Sequence, residues 1–333
     1  MSSAASDVYK RQSYCLIVLR TIRGGEDGIF VPGLAVSFSV VLAMGGIGVL
    51  IFFIHHISAS IQAANIIASV ADETMLVVDR LFPEKLGDGW VADDEAYPTL
   101  PSLPEHVWKT VPAKGNGYIQ IVDNAALLRL ACENKTVVRM EHAIGEFVVR
   151  GAALASLALE KPPQKEIINA LQAAYGIDRH RTVSQDVAFG ILQIVDMALK
   201  ALSPGINDTT TAVMCVDYLS AILARLASRP IPPSHRYEEG ELRVVTKGPS
   251  FESLLSDALD QIRRNATGNV TILSRILEAL QLLAGLTASP RRRQALRGQM
   301  QQIAELVART VDSTHDREKI EAHLMRLSSI LED

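Results

Sequence analysis

The chain has 333 residues, of which 48% are hydrophobic and 21% charged, with a formal net charge of −4. This length has room for a membrane segment and one or two globular domains. The lack of a basic excess argues against a nucleic-acid partner, because phosphate binding needs clustered Lys and Arg. The three scattered cysteines form no CxxC pair, and no Walker, GxSxG, HExxH or dinucleotide-binding motif occurs. We therefore expect no disulfide framework, no metal and no cofactor.

The first twelve residues stand apart from the rest of the chain. Residues 7–12 (D-V-Y-K-R-Q) resemble the translation of an adapter used in sequencing libraries. We therefore predict that residues 1–12 are an assembly scar and that the natural protein is longer at its N-terminus. Residues 13–57 would then form a transmembrane hairpin whose first helix is truncated, with residues 14–19 as its tail.

Residues 29–54 contain no charged side chain. Because a bilayer core needs about 20 apolar residues in helical form, this run predicts a transmembrane helix and the lipid bilayer as a partner. The basic residues on its two flanks leave the orientation open. His55 and His56 follow at the predicted interface, where they favour anchoring over metal binding.

Residues 58–82 are predicted to continue as a helical extension. Their apolar residues recur in steps of four and three, which is the heptad pattern of a helix packed against a neighbour. This seam consists of Ile57, Ile61, Ala64, Ala68, Ala71, Met75, Val78 and Phe82. A second copy of the chain could supply the neighbour, so we expect a homo-oligomer.

Residues 83–116 form a proline-rich segment that predicts a linker, and residues 117–160 predict a small β module with strands that include residues 127–131. The pattern Gly-x-Phe-Val-x-x-Gly-x-x-Leu, which begins at Gly145, resembles the barrel-sandwich modules of biotinyl and lipoyl domains. No Met-Lys-Met-like acceptor is present, and Lys135 fits a plain solvated turn. We therefore expect a structural or docking version of that module without a lipoyl group.

Residues 161–230 predict a helical domain that contains the most distinctive stretch of the chain. A helix over residues 163–176 is expected to end at Gly176, and a second helix over residues 183–202 has one broad apolar side and one polar stripe. The stripe consists of Asp186, Phe189, Gln193, Asp196 and Lys200. An exposed helix face with an Asp196–Lys200 pair explains the stripe. A ligand-binding cleft joined by Arg179, Arg181 and Gln185 is the sharper alternative.

The turn over residues 203–208 (S-P-G-I-N-D) leads into a helix predicted from Thr209 to Arg229. Gly205 permits a positive φ, and Asn207 or Asp208 can cap the new helix. The N-terminus of this helix could instead hold an anionic ligand together with Arg179 and Arg181, and Ser203 and Gly205 would then belong to the site. The charge of Asp208 weighs against that second interpretation.

The stretch R-T-V-S-Q-D-V-A-F-G-I-L-Q-I-V-D-M-A-L-K-A-L-S-P-G-I-N-D resembles the hallmark of a family of predicted bacterial membrane proteins of unknown function. The segments F-V-P-G-L-A-V, F-I-H-H-I-S and G-E-F-V-V-R-G are similar to that family as well. Thr209 is a mild departure, because the family pattern has proline there. The resemblance implies several transmembrane helices in the bacterial inner membrane, followed by a soluble domain in the cytoplasm. It implies no catalytic role.

The remainder predicts a connector over residues 231–249 with a strand at residues 241–246, and then a helical bundle over residues 250–333. Its helical stretches are residues 250–287, split near Gly268, residues 290–312 and residues 315–331. The run Arg291-Arg292-Arg293 at a helix start favours a solvated charge cluster, with a lipid headgroup contact as the alternative.

The fold class predicted is mainly α with a small β module, in which transmembrane helices precede a soluble α+β domain. Three functions remain open. The first is a multi-pass membrane protein whose soluble domain binds a small-molecule or anionic ligand, or a partner, in transport, gating or sensing. The second is a membrane-bound enzyme that uses Arg181, Asp186, Gln193 and Asp196, and the third is an oligomeric scaffold.

Overall fold

The computed structural model of the protein describes residues 23–25, 28–30, 33–82 and 108–332. The predicted adapter scar, the helix tail at residues 14–19, residues 83–107 of the linker and the side chains of His55 and His56 lie outside the described part. The chain divides into two compact units, Met1–Ala63 and Ala64–Asp333.

The first unit contains an antiparallel pair of short strands and the start of a long helix. Strand β1 (Arg23–Gly25) pairs with β2 (Gly28–Phe30), and helix α1 runs over Gly33–Leu81. The window Ser37–Ile54 in α1 has a mean hydropathy of 2.4 and no buried side chain. An 18-residue helix is about 27 Å long, close to the thickness of a bilayer core. This part of α1 is therefore a candidate membrane span.

The second unit has a helical part built around one hydrophobic core. Residues 64–81 of α1 pack there with six further helices, and the apolar residues of all seven share this core. These helices are α4 (Val187–Leu202), α5 (Thr209–Ala227), α6 (Phe251–Asn265), α7 (Val270–Leu286), α8 (Pro290–Thr310) and α9 (Thr314–Glu332). Helix α5 is also long and apolar enough to cross a membrane, but 56% of its window is buried in this core.

The predicted heptad seam of α1 is used within the chain itself. Ala71, Val78 and Phe82 are each at most 5% exposed and belong to the helical core. At these three positions, the neighbour that the heptad pattern predicts is supplied by other helices of the same chain. These three residues are not free to contact a second copy.

The β part of the second unit has its own core and two small sheets. The strands are β3 (Trp108–Pro112), β4 (Gly117–Val122), β5 (Val138–Met140), β6 (Phe147–Val148), β7 (Ala153–Ala158), β8 (Tyr175–Asp178), β9 (His235–Glu238) and β10 (Glu241–Val245). The five-stranded sheet has the order β3-β7-β5-β10-β9, in which β5 and β10 are parallel and the other pairs are antiparallel. The three-stranded sheet is antiparallel and has the order β6-β4-β8. The sheets thus draw strands from both sides of residues 117–160.

Three predictions of secondary structure are wrong. Residues 108–112 of the predicted linker form β3, which pairs with β7. The strand expected at residues 127–131 is part of helix α2 (Asn124–Glu133), because Asp123 caps the helix through Ala126 N at 2.9 Å and Leu127, Leu130 and Ala131 form its buried face. Helix α3 (Lys165–Ala173) ends before Tyr175 and Gly176, which belong to β8. Those two residues pair with β4, so their backbone groups form hydrogen bonds between strands and not within a helix.

Other local predictions agree with the structure. Lys135 is exposed with a φ of 45°, which places it in a turn. The helices after residue 250 lie where the periodicity predicts them, and Gly268, with a φ of 72°, separates α6 from α7. The expected strand at residues 241–246 is β10.

Candidate functional site

The start of the distinctive helix α4 is fixed by Asp186. A single 3₁₀ turn, Val183–Gln185, precedes it, and the Asp186 carboxylate accepts a hydrogen bond from Phe189 N at 3.0 Å. This is the N-cap geometry, in which a side-chain oxygen satisfies a free backbone N–H of the first turn. The negative charge also suits the positive end of the helix dipole.

Asp186 forms a buried ion pair with Arg181. The Nε and Nη2 atoms of Arg181 donate to Asp186 Oδ2 at 2.9 and 2.8 Å. The side chain of Asp186 is 4% exposed and that of Arg181 22%, so water reaches the pair only from the arginine side. The guanidinium also lies 5.0 Å from the centre of the Phe189 ring. Burial raises the pKa of Asp186, and the hydrogen bonds from Arg181 and from Phe189 N act against that rise.

Gly145 covers the ion pair from the β part of the unit. A Cβ atom on Gly145 would lie 2.2 Å from Asp186 Oδ2 and 2.7 Å from Arg181 Nη2, and its φ is +85°. Gly145 N donates to Ile119 O at 2.8 Å, which ties the loop to β4. Glycine is required here for two reasons, the left-handed backbone and the close approach of the two charged groups. The G-E-F-V-V-R-G segment and the helical signature therefore meet at this point.

Asp257 on α6 interacts electrostatically with the pair, and sequence reasoning missed it. Burial raises its pKa, the nearby charge of Arg181 lowers it, and Asp260 and Asp186 raise it further. The charges of Arg181 and Asp186 therefore act on the Asp257 carboxylate, which lies at an exposed position of α6. Helix α6 packs against α4, but 76 positions of sequence separate Asp257 from Arg181, and no local pattern links them.

The loop that carries Gly145 holds a second set of charged groups. Glu146 contacts His142 Nδ1 at 2.8 Å and Lys247 Nζ at 2.9 Å. Burial raises the pKa of Glu146, but the hydrogen bonds from Lys247 and His142 outweigh burial, so that the pKa is lowered overall. These contacts fix the position of the loop against the end of β10.

The structure does not bring all the predicted site residues together. Gln185 Oε1 accepts from Val122 N at 3.1 Å, which gives it a structural partner in β4. Gln193 and Asp196 lie seven and ten residues after Asp186 on α4, which corresponds to about 10 and 15 Å along the helix. Asp196 and Arg179 are exposed. Of the predicted set, Arg181 and Asp186 are joined by side-chain hydrogen bonds, and Asn207 N donates to Ser203 O within the turn after α4.

The turn between α4 and α5 is explained by capping. Ser203 Oγ donates to Lys200 O at 2.7 Å, and Asp208 accepts from Thr211 N at 3.0 Å and from Thr211 Oγ1 at 2.7 Å. The positive φ predicted for Gly205 belongs to Asn207, at 45°. Since Asp208 puts a carboxylate where an anion would lie, this helix N-terminus is a poor anion site.

Asp196 and Lys200 are both exposed, and no ion pair joins them in the described part of the chain. This end of the polar stripe is therefore a solvated helix face. Within the same described residues, no group of three or more His, Cys, Asp or Glu side chains is placed to hold a metal ion.

Helix α4 also contacts α1 directly. A Cβ on Gly190 would lie 2.0 Å from Thr74 Oγ1, and Thr74 is fully buried, donating to Val70 O at 2.6 Å. About one and a half turns further along α1, Asp79 contacts Arg225 of α5 at 2.5 Å and Arg229, just after α5, at 2.7 Å. Gly190 of the signature therefore permits close packing of α1 on α4.

The prediction of a solvated charge cluster at the start of α8 is wrong for Arg292, while Arg291 is exposed. Arg292 is buried, and its guanidinium donates to Leu226 O at 3.3 Å, Ala227 O at 3.0 Å and Arg229 O at 3.0 Å, backbone carbonyls at and just after the end of α5. Arg291 contacts Glu252 at 3.0 Å, and Arg293 donates to Thr287 O. The run acts as a structural cap, because last-turn carbonyls need donors and attract positive charge.

The window Ser37–Ile54 of α1 is long and apolar enough to cross a membrane. The chain belongs to the family described as "Predicted membrane protein (DUF2254)", which it matches over residues 12–282. It is 31% identical over 312 residues to a protein of Mycobacterium bovis and to one of Mycobacterium tuberculosis, both described as uncharacterized. The alignment covers 92% of this chain and 59% of each relative, so the chain spans about three fifths of their length. No solved structure matches it.

Proposed function

We propose that the protein is a multi-pass protein of the bacterial inner membrane whose second unit lies in the cytoplasm and binds a polar ligand or a partner segment. The site is the junction formed by Arg181, Asp186, Gly145 and Asp257. Binding there would serve transport, gating or sensing.

The observation that carries the proposal is the Arg181–Asp186 ion pair at the junction of two hydrophobic cores. Asp186 belongs to the helical part, and Gly145 reaches it from the β part. Ligand sites occur preferentially at such junctions. A buried carboxylate with a raised pKa beside a partly exposed arginine is also the kind of perturbed group that marks functional sites.

Arg181 and Asp257 are the groups that a ligand could reach. Asp186 Oδ1 is engaged by Phe189 N and its Oδ2 by Arg181, so Asp186 positions Arg181 and does not contact the ligand. The exposed part of Arg181 can donate to a carboxylate or phosphate, and Asp257 can accept from an amine or hydroxyl. A ligand that carries both kinds of group fits this pair better than a simple anion.

The contacts of α1 support a role in gating or sensing. The helix that contains the candidate span also contains Thr74 and Asp79, which are held by α4 and α5. A ligand that binds more tightly to one arrangement of α4 shifts the population of arrangements of the helices packed on it. Transmission would therefore run from Asp186 along α4 to Gly190 and Thr74.

The enzyme hypothesis receives less support from the geometry. Asp186, Gln193 and Asp196 alone extend over about 15 Å along α4 from its N-cap, so these residues and Arg181 cannot all reach one reacting atom. The scaffold hypothesis required a free seam on α1, and Ala71, Val78 and Phe82 are buried in the chain's own core.

A thermal-shift screen of the full chain in lipid nanodiscs tests the proposal. The compounds are small phosphates, carboxylates, amines and amino acids. We expect at least one compound to raise the unfolding temperature of the wild type and of Asp196→Asn, the control on the exposed end of α4. The same compound should have no effect on Arg181→Gln or Asp257→Asn. Compounds that stabilise all four proteins equally, or a library without any hit, would contradict the proposed site.

The orientation has its own test. Lys135 lies in an exposed turn, so Lys135→Cys, in a chain with Cys15→Ser and Cys132→Ser, provides a reporter. A membrane-impermeant maleimide should label it in inverted membrane vesicles and not in intact cells. Labelling in intact cells would place the unit outside.

A further inference from the structure

Strand β9 lies at one edge of the five-stranded sheet. Within the part of the chain that the structure describes, β10 is the one strand that pairs with it. An edge strand presents a row of backbone N–H and C=O groups with which a strand of another chain can pair. The open edge of β9 is therefore a candidate contact surface.

The hairpin that joins β9 to β10 determines which backbone groups point to the open edge. Its turn residues, Glu239 and Gly240, have φ angles of 52° and 78°, as a type I′ turn requires, and Glu238 lies opposite Glu241. The closing pair of such a turn is hydrogen-bonded, and hydrogen-bonded pairs alternate with non-hydrogen-bonded pairs along an antiparallel ladder. The N–H and C=O of Tyr237, the next residue, therefore point away from β10.

The other end of the hairpin shows the same alternation. Ser234 O accepts a hydrogen bond from Thr246 N at 2.6 Å, so the carbonyl of Ser234 points toward the strand that contains β10. Because residues two apart have the same orientation in a strand, the backbone groups of Arg236 and Glu238 also face β10. Tyr237 is thus the centre of the open edge.

The side chains of β9 are complementary to a second copy of the same strand. When two β9 strands pair antiparallel with Tyr237 opposite Tyr237, Arg236 of each copy lies opposite Glu238 of the other. Directly opposite side chains have Cβ atoms about 4.5–5.5 Å apart, so two ion pairs form on one side of the sheet and the two tyrosine rings meet on the other. Tyr237 is 45% exposed, Glu238 is exposed and Arg236 is partly exposed. Arg236 already interacts within the chain, and its five donors allow a second acceptor.

We propose that two copies of the chain pair edge to edge through β9, with Tyr237 at the twofold axis. The two Tyr237 residues exchange two N–H···O=C hydrogen bonds, and the two sheets become one continuous sheet. Such an interface is isologous, because each copy contributes the same patch. This inference does not depend on the ligand site, because β9 contributes no residue to that site.

The charges select this register and this partner. A shift of the pairing by one step would place Arg236 opposite Arg236, and like charges directly opposite each other are destabilising. A strand of another protein would need the same order of a cation, an aromatic ring and an anion, which the chain itself supplies.

Disulfide cross-linking of the full chain in its native membrane tests the pairing. The reporter is Tyr237→Cys in a chain with Cys15→Ser and Cys132→Ser; the remaining Cys215 is buried. The Cα atoms of a hydrogen-bonded antiparallel pair are about 5.5 Å apart, which suits a disulfide. We expect mild oxidation to yield a cross-linked dimer. The matched control, Lys135→Cys in the same background, lies in an exposed turn away from β9 and should remain a monomer.

Charge reversal in the Tyr237→Cys chain tests the register. Arg236→Glu alone and Glu238→Arg alone should each reduce the cross-linking rate roughly tenfold, because like charges then lie opposite each other. The doubly reversed chain should recover the wild-type rate, and so should the two single variants when they are co-expressed, because opposite charges again face each other. Melting curves of the same samples identify any loss caused by unfolding.

Several results would overturn the proposal. The first is no cross-linking of Tyr237→Cys, or equal cross-linking of Tyr237→Cys and Lys135→Cys. The second is a folded doubly reversed chain that does not recover. A cross-linked product of Tyr237→Cys whose mass differs from that of two chains would assign the edge of β9 to another protein.

Discussion

The substitution Gly145→Ala tests the contact between the loop and the ion pair. Its Cβ would lie 2.2 Å from Asp186 Oδ2 and 2.7 Å from Arg181 Nη2, distances at which the pair must separate or the loop must move. The φ of +85° adds strain of about 1–2 kcal/mol for a residue with a Cβ. Breaking a buried pair costs about 3–5 kcal/mol, which we reduce to about 2–3 kcal/mol because Arg181 is partly exposed.

Gly151→Ala is the matched control for Gly145→Ala. Gly151 has nearly the same φ, +86°, but its Cβ would meet nothing within 4 Å. The difference between the two variants therefore isolates the collision with the ion pair. We expect Gly145→Ala to be less stable than Gly151→Ala by about 2–3 kcal/mol, a gap in melting temperature of about 4–12 °C for a unit of this size.

The assay is thermal unfolding of both variants in the same detergent, followed by circular dichroism. Equal melting temperatures for Gly145→Ala and Gly151→Ala would show that the loop does not press on the ion pair. The structural basis of the proposed site would then be refuted.

Three further predictions concern α1, the cap of α5 and the pH dependence. Gly190→Ala should destabilise the unit by about 2–4 kcal/mol, because its Cβ would lie 2.0 Å from Thr74 Oγ1, and Thr74→Ala should recover part of that loss in denaturant unfolding. Arg292→Gln should cost about 2–4 kcal/mol, because it removes donors from three buried carbonyls, whereas the exposed Arg291→Gln should cost at most about 1 kcal/mol. The raised pKa of Asp257 means that the folded state binds its proton more readily than the unfolded state, so stability falls as pH rises from about 4 through the folded pKa. Asp257→Asn should make the decrease of melting temperature with rising pH smaller, in melting curves recorded between about pH 4 and 7.

Each of these predictions has a result that would contradict it. Gly298 is a helical glycine on α8 whose Cβ would meet nothing within 4 Å, so Gly298→Ala should be neutral or stabilising by up to about 1 kcal/mol. A similar loss for Gly190→Ala and Gly298→Ala would remove the argument for close packing on Thr74. Equal losses for the two arginine variants would show that Arg292 is not a cap. An unchanged pH slope in Asp257→Asn would show that another group titrates.

Local signals predicted the helices well. Gly268 and Pro290 mark boundaries that the structure reproduces, and the Asp208 cap follows from its place before an apolar helix. The strand expected at residues 127–131 failed because a short apolar run fits either period, and the cap at Asp123 decides the outcome. Tyr175 was assigned to a helix because its strand partner, Val122, lies 53 positions away.

The candidate site could be predicted only in part. Arg181 and Asp186 are five residues apart, so a sequence pattern can associate them. Gly145 and Asp257 join them only through the fold, from positions 41 residues before and 71 residues after Asp186. Nothing in the local sequence indicates that a glycine must be close to a carboxylate. The buried role of Arg292 is hidden in the same way, because an arginine run at a helix start resembles a solvated charge cluster.

The most direct test of the proposed site is hydrogen–deuterium exchange on the full chain in nanodiscs, with and without a compound that stabilises it. We expect slower exchange in the peptides that cover residues 141–147, 179–190 and 251–260, and a smaller change in residues 70–80 of α1, where Thr74 meets Gly190. The Asp257→Asn variant should show none of these changes. Protection confined to other segments, or protection that persists unchanged in Asp257→Asn, would contradict a ligand site at the Arg181–Asp186 pair.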